Sequence, residues 1–172
     1  DSTAIYSLMG YCYWQQENFQ KACDCYAKLV QINPNNDHYK LLHSQALYKN
    51  ALYYDAMRVS FGVQNAEIKP NTTLLQAAIR YAEDDIQSAK SILQESDQED
   101  ENIMLDQAVV LFKEDRFEEA LEKYMDIKRL HGFSTEVVYC IALCYYRLNR
   151  FTDALSFIDE IKNNHIQSYS DL

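Results

Sequence analysis

The sequence predicts an all-α chain built as a row of stacked helix pairs. Three observations carry this prediction. Alanine recurs at positions 22, 56, 89, 120 and 154, in steps of 34, 33, 31 and 34 residues. Twelve residues before each alanine stands another small residue (Gly10, Ser44, Ala77, Ala108, Ala142), and four residues after it stands Tyr26, Ser60, Leu93, Tyr124 or Ile158. Only three glycines and two prolines occur in 172 residues. That is too few for the turns of an all-β fold or for a glycine-rich phosphate loop.

The period places five units at residues 3–36, 37–70, 70–100, 101–134 and 135–168. In each unit two antiparallel helices carry apolar faces that neither can bury alone, and a small residue on each lets the backbones approach. The first unit supplies Tyr6, Met9-Gly10, Tyr13, Ala22, Tyr26 and Pro34 in order, which is the tetratricopeptide pattern. Phe19, Phe117 and Phe151 begin second helices and are expected to pack under the turn that precedes them. Pro34 and Pro70 fall between units, where a helix can end without cost. The third unit is degenerate: its second helix, about Ile86 to Gln94, runs into an acidic stretch at 95–101 in which five of seven residues are Asp or Glu. That stretch reads as a solvated loop. The fifth unit ends on 163–169, which reads as the lead-in to another repeat, and the chain opens at Asp1 rather than Met. The fold class is therefore an α-solenoid of tetratricopeptide repeats wound as a right-handed superhelix, a fragment of a longer array.

Charge and composition remove several classes of function. The net charge is −10 and no apolar stretch reaches membrane-spanning length, so neither nucleic acid nor membrane insertion is expected. Cys12, Cys23, Cys25, Cys140 and Cys144 are odd in number and lack zinc spacing; they read as small apolar core residues of a reducing compartment. A thiol pair at Cys140 and Cys144 could take a metal only if His131 or His165 came near. Asn71-Thr72-Thr73 forms a glycosylation sequon without meaning in that setting. The histidines His38, His43, His131 and His165 are scattered. No nucleophile motif, HExxH or phosphate loop is present, so no catalytic, metal or cofactor site is expected and the chain is not an enzyme.

Binding is expected on the wall lined by the first helix of each unit. The fifth positions are Ser7, Leu41, Leu74, Leu105 and Tyr139; the ninth are Tyr11, Gln45, Ala78, Val109 and Leu143; the twelfth are Trp14, Tyr48, Tyr81, Phe112 and Tyr146. These three columns share one helical face. The twelfth is aromatic throughout, and charge appears only at the thirteenth, as Lys49, Lys113 and Arg147. So apolar a groove marks a partner site, and its aromatic lining suits an extended proline-rich peptide, which is already ordered before docking. The alternative is that close winding buries the rings between repeats. A cochaperone-like adaptor holding a terminal carboxylate is disfavoured, because the fifth and ninth columns lack the basic residues and Asn of such a clamp. A regulatory array attached to an enzyme outside the fragment is the other alternative.

One family is specifically similar. Leu8-Met9-Gly10-Tyr11-Cys12-Tyr13 with Phe19, Ala22 and Cys25-Tyr26, the run Gln45-Ala46-Leu47-Tyr48-Lys49, the run Leu75-Gln76-Ala77-Ala78-Ile79-Arg80-Tyr81, and Ile141-Ala142-Leu143-Cys144-Tyr145-Tyr146 resemble the tetratricopeptide subunit of intraflagellar transport complex B, the fleer family. The resemblance implies a non-catalytic scaffold of the complex B core that clasps an extended, proline-containing segment of a neighbouring subunit, in the cytoplasm and the cilium or flagellum. It also implies links to kinesin-2 and to tubulin polyglutamylation.

Overall fold

Five times the chain leaves one helix, turns through a single left-handed residue and enters the next. The computed structural model describes residues 2–96 and 100–170, with side chains to residue 164. Among the described residues the elements are α1 (Ser2–Gln15), α2 (Phe19–Ile32), α3 (Asp37–Lys49), α4 (Tyr53–Ser60), a short 3-10 turn (Ala66–Ile68), α5 (Lys69–Ala82), α6 (Ile86–Gln94), α7 (Glu101–Lys113), α8 (Phe117–His131), α9 (Thr135–Arg147) and α10 (Phe151–Ser170), with no strand. The left-handed residues are Glu17, Ala51, Asp84, Asp115 and Asn149, with φ between 57° and 65°. At each turn an N–H reaches back five residues: Asn18 to Tyr13, Leu52 to Leu47, Asp85 to Arg80, Arg116 to Leu111 and Arg150 to Tyr145, at 2.9–3.0 Å. This is the Schellman closure, which satisfies the last carbonyls of the first helix and launches the second antiparallel to it. Not one of these five positions is glycine.

The chain divides into two units, residues 1–92 and 93–172. In the first, α1 packs on α2, α2 on α3, α3 on α4 and α4 on α5. In the second, α7 packs on α8, α8 on α9 and α9 on α10. The alanine column is what lets these helices meet: Ala22, Ala56, Ala89 and Ala120 have no exposed surface, and Ala154 has 8%. The other small column, Gly10, Ser44, Ala77, Ala108 and Ala142, is buried as well. Ser44 is polar, yet its hydroxyl donates to the Ala56 carbonyl at 2.6 Å, so the two small columns of that pair are joined by a satisfied hydrogen bond. Around these columns Leu29, Ile79, Ile103, Ile127 and Ile141 are buried, each contributing roughly 1.5–3 kcal/mol by removal from water. A second buried polar link runs from Gln76, whose amide donates to the Ser60 hydroxyl at 2.9 Å, and on to the Met57 carbonyl at 2.7 Å.

The entrance to α3 is clamped. Asn36 caps the helix by accepting the Tyr39 N–H, and Asp37 accepts the N–H groups of Gln64 and Asn65 at 2.7 and 2.8 Å while pairing with Lys40 at 2.7 Å. Lys40 also donates to the Gly62 carbonyl. One carboxylate thereby ties the loop after α4 to the start of α3. Pro34 lies in the connection before α3, and Pro70 sits in the first turn of α5, where its missing N–H has no intrahelical partner to lose.

Three local expectations are revised. Of the acidic stretch at 95–101, residues 97–99 lie outside the described residues, but Asp100 is the cap of α7: its carboxylate accepts the N–H groups of Asn102 and Ile103, and Glu101 opens the helix. At least part of that stretch serves the positive end of a helix dipole rather than a loop. Residues 163–169 do not begin a new element, because α10 runs unbroken to Ser170; no Pro or Gly interrupts it. Leu41, placed on the wall by its spacing, is 7% exposed and belongs to the core of the first unit, because α3 is packed by α2, α4 and α5 together. α1 is apolar on nearly every side and leaves Ile5 and Leu8 more than half exposed.

Candidate functional site

In the second unit the columns named from spacing fall on α7 and α9. Leu105, Val109, Phe112 and Leu143 are half-buried, whereas Tyr139 and Tyr146 expose 54% and 59% of their surface. Tyr139, Leu143 and Tyr146 lie four and three residues apart, so they stand on one stripe of α9. In the first unit Ser7, Trp14, Gln45, Tyr48, Leu74, Ala78 and Tyr81 are half-buried, Tyr11 is exposed, and Leu41 is in the core.

The twelfth-position rings are not free-standing. Trp14 meets Phe19 edge-on with centroids 5.4 Å apart, Phe112 meets Phe117 at 5.1 Å, Tyr146 meets Phe151 at 5.6 Å, and Tyr48 tilts against Tyr53 at 5.9 Å. The geometry follows from the turn: five residues closed by the same backbone bond bring the start of the second helix under the end of the first. Such edge contacts add about 0.5–1.5 kcal/mol beyond area burial. At the third turn the corresponding residues are Tyr81 and Ile86, so the five-residue spacing does not join two rings there. Trp14, Tyr48 and Phe112 also pack against the core and are half-buried, whereas Tyr146 stays 59% exposed. Each of these rings therefore braces the turn that follows it.

Arg147 is the feature that spacing did not reveal. It stands at the thirteenth position of α9, and its guanidinium carbon lies 4.5 Å from the ring centroid of Phe117 and 5.7 Å from that of Phe112. It also pairs with Asp115 at 3.1 Å. The charge therefore sits over the aromatic pair of α7 and α8 rather than at the rim of the wall. The contact joins residues 32 positions apart, and no local pattern encodes it. Nearby, Lys128 and Arg150 bracket the stacked pair Tyr145 and Phe157, whose centroids are 5.5 Å apart.

Titratable groups elsewhere are shaped for structure rather than chemistry. Burial pushes the Cys144 thiol up to about 12 and Cys23 up to about 11, and it also raises Cys25 and Cys140. Thiols so shifted stay protonated near neutral pH and are poor nucleophiles. His131 faces Glu101 at 3.6 Å, and the side chain of His165 lies outside the described residues. Among the described residues no group of three His, Cys, Asp or Glu could hold a metal ion, and no helix is long and apolar enough to cross a membrane. Burial raises Asp106 to about 6, while the Lys40 hydrogen bond and the backbone N–H groups of Gln64 and Asn65 lower Asp37 to about 2.

The family model described as Intraflagellar transport protein 56 matches residues 6–171. Intraflagellar transport protein 70A of Xenopus laevis is 37% identical over 171 residues, covering 99% of this chain and 26% of its own length. The Tetratricopeptide repeat protein 30 homolog of Caenorhabditis briggsae is 34% identical over 166 residues, covering 96% of this chain and 25% of its own length. The chain thus spans about a quarter of the length of these curated relatives. Among solved structures, a tetratricopeptide repeat protein from Parabacteroides merdae aligns with a TM-score of 0.78 at 10% identity, over 94% of this chain and 64% of its own. A thermophilic tetratricopeptide protein of Thermus thermophilus aligns with a TM-score of 0.74 at 12% identity, over 92% and 89%. These structures speak to the fold alone. Helices paired as in tetratricopeptide arrays, together with a family match across almost the whole chain, make this a non-catalytic repeat protein that belongs to the intraflagellar transport protein 56 family and is similar to intraflagellar transport protein 70.

Proposed function

We propose that the chain is part of a scaffold in the core of intraflagellar transport complex B, and that its first-helix wall binds an extended, proline-containing segment of a neighbouring subunit. The observation that carries this reading is the stripe of Tyr139, Leu143 and Tyr146. Two large rings there are more than half exposed in a protein of net charge −10, and the fifth and ninth columns are uncharged throughout. Exposed apolar stripes of this kind are partner surfaces. Rings braced from behind by Phe117 and Phe151 lose little freedom on binding, which favours a preordered polyproline ligand. The same reading places the protein in cytoplasm and cilium during cilium assembly, and extends through the assembled complex to kinesin-2 and to tubulin polyglutamylation.

The test is Tyr139→Ala with Tyr146→Ala in the full-length protein, with binding to purified complex B subunits measured and circular dichroism as the folding control. Truncation of rings at a binding hot spot costs about 2 kcal/mol or more. A folded double variant that binds its subunits as tightly as the parent overturns the reading.

A further inference from the structure

Resting on that peptide-binding reading, we infer that the α7–α9 wall selects a segment carrying an internal carboxylate beside its apolar residues, and that Arg147 receives it. The guanidinium is already held in place over Phe117 and Phe112. A cation stacked on rings has a fixed plane, so less freedom is lost when it forms paired hydrogen bonds to a carboxylate. Its present partner is weakly bound. The Arg147 and Asp115 side chains expose 46% and 74% of their surface, and an ion pair so exposed is screened by solvent and contributes little. Exchange of Asp115 for an incoming carboxylate therefore costs little.

The surroundings narrow the anion. Lys113 occupies the same column on α7, while the fifth and ninth positions of both helices (Leu105, Val109, Tyr139, Leu143) bring no charge. A chain-terminal carboxylate needs several donors from those apolar positions, and they are not there. A polyanion meets the repulsion of a protein with net charge −10. A single side-chain carboxylate, flanked by residues that pack on Tyr146, matches both the stacked Arg147 and the apolar stripe.

The experiment uses full-length protein and C-terminally amidated synthetic peptides of repeating Pro-Glu-Leu and of repeating Pro-Gln-Leu, titrated by fluorescence anisotropy. The Glu peptide is expected to bind about tenfold more tightly, as charge-assisted pairing exceeds neutral pairing. Asp115→Asn removes the internal competitor, and Asn tolerates the left-handed backbone there; it should tighten the Glu peptide and leave the Gln peptide unchanged. Arg147→Gln should equalise the two peptides, and Arg147→Glu should transfer the preference to repeating Pro-Lys-Leu. Equal affinity for Glu and Gln peptides in the parent, or no effect of Asp115→Asn, overturns this inference and leaves the peptide wall standing. Binding only of a peptide with a free C-terminus overturns it in favour of a terminal clamp. Failure of every peptide to bind overturns the peptide wall, and this inference with it.

Discussion

Tyr26 packs so closely on Gly10 that a Cβ at position 10 would stand 2.5 Å from the ring's Cε1 atom and 3.0 Å from Cδ1. Tyr26 is 4% exposed and Gly10 is buried, so the ring has no room to retreat. Gly10→Ala should therefore destabilise the fold by about 1–2 kcal/mol, because overpacking outweighs the helix propensity that alanine brings. In a Tyr26→Leu background the same change should cost nothing or stabilise. Thermal melts of the four variants complete the cycle; equal effects in both backgrounds would show that the ring is not what excludes a side chain there.

Ala51 holds φ 59° at an exposed turn, where an L-residue sits about 1–2 kcal/mol above glycine-like freedom. Ala51→Gly should stabilise by about 0.5–1 kcal/mol, the relief being partly offset by the looser unfolded chain. Ala51→Val should destabilise, since a branched Cβ fits the left-handed region worst. Urea titrations of both variants check the pair, and a stabilising valine would contradict the assigned backbone.

Two carboxylates should bend the pH profile in opposite directions. Asp37 is held near 2 by its hydrogen bonds, below the unfolded value of about 3.9. Its contribution is present above that value and is lost as pH falls from about 4 towards 2. Asp106 is raised to about 6 by burial, so the folded chain takes up a proton before the unfolded chain does. Stability at that site rises as pH falls from above 6 to about 4. Asp106→Asn should raise the melting temperature at neutral pH and flatten that rise, whereas Asp37→Asn should remove the acid loss. Profiles that keep their shape in both variants would refute the assignment.

Cys12 is exposed, whereas Cys23, Cys25 and Cys144 are buried and Cys140 is half-buried. A thiol reagent at neutral pH should modify Cys12 rapidly and the other four only as the chain opens. Cys12→Ser should abolish the fast phase. Fast modification of Cys144 would mean that its helix is not packed as described.

The repeat architecture was legible because it is periodic. Small residues at 22, 56, 89, 120 and 154, with partners twelve before, encode helix–helix approach in local spacing, and the start of α6 at Ile86 follows from the same column even in the degenerate third unit. The five turns were legible in place but not in backbone. They close left-handed on Glu, Ala, Asp and Asn, so glycine counting says nothing of them; the reach-back hydrogen bond forms whatever residue occupies the position.

The sequence by itself determined the helical class, the repeat spacing and which residues share the columns of the first helices, because each depends on which face of a helix a residue occupies. Tertiary structure decided what those columns are worth. It withdrew Leu41 into the core, where α3 is packed by three neighbours. It braced four of the twelfth-position rings against the next helix start, and it carried Arg147 across 32 residues to Asp115 and onto the neighbouring Phe117 ring. Long-range contacts of this kind depend on how stacked helices meet, and no spacing within one helix records them.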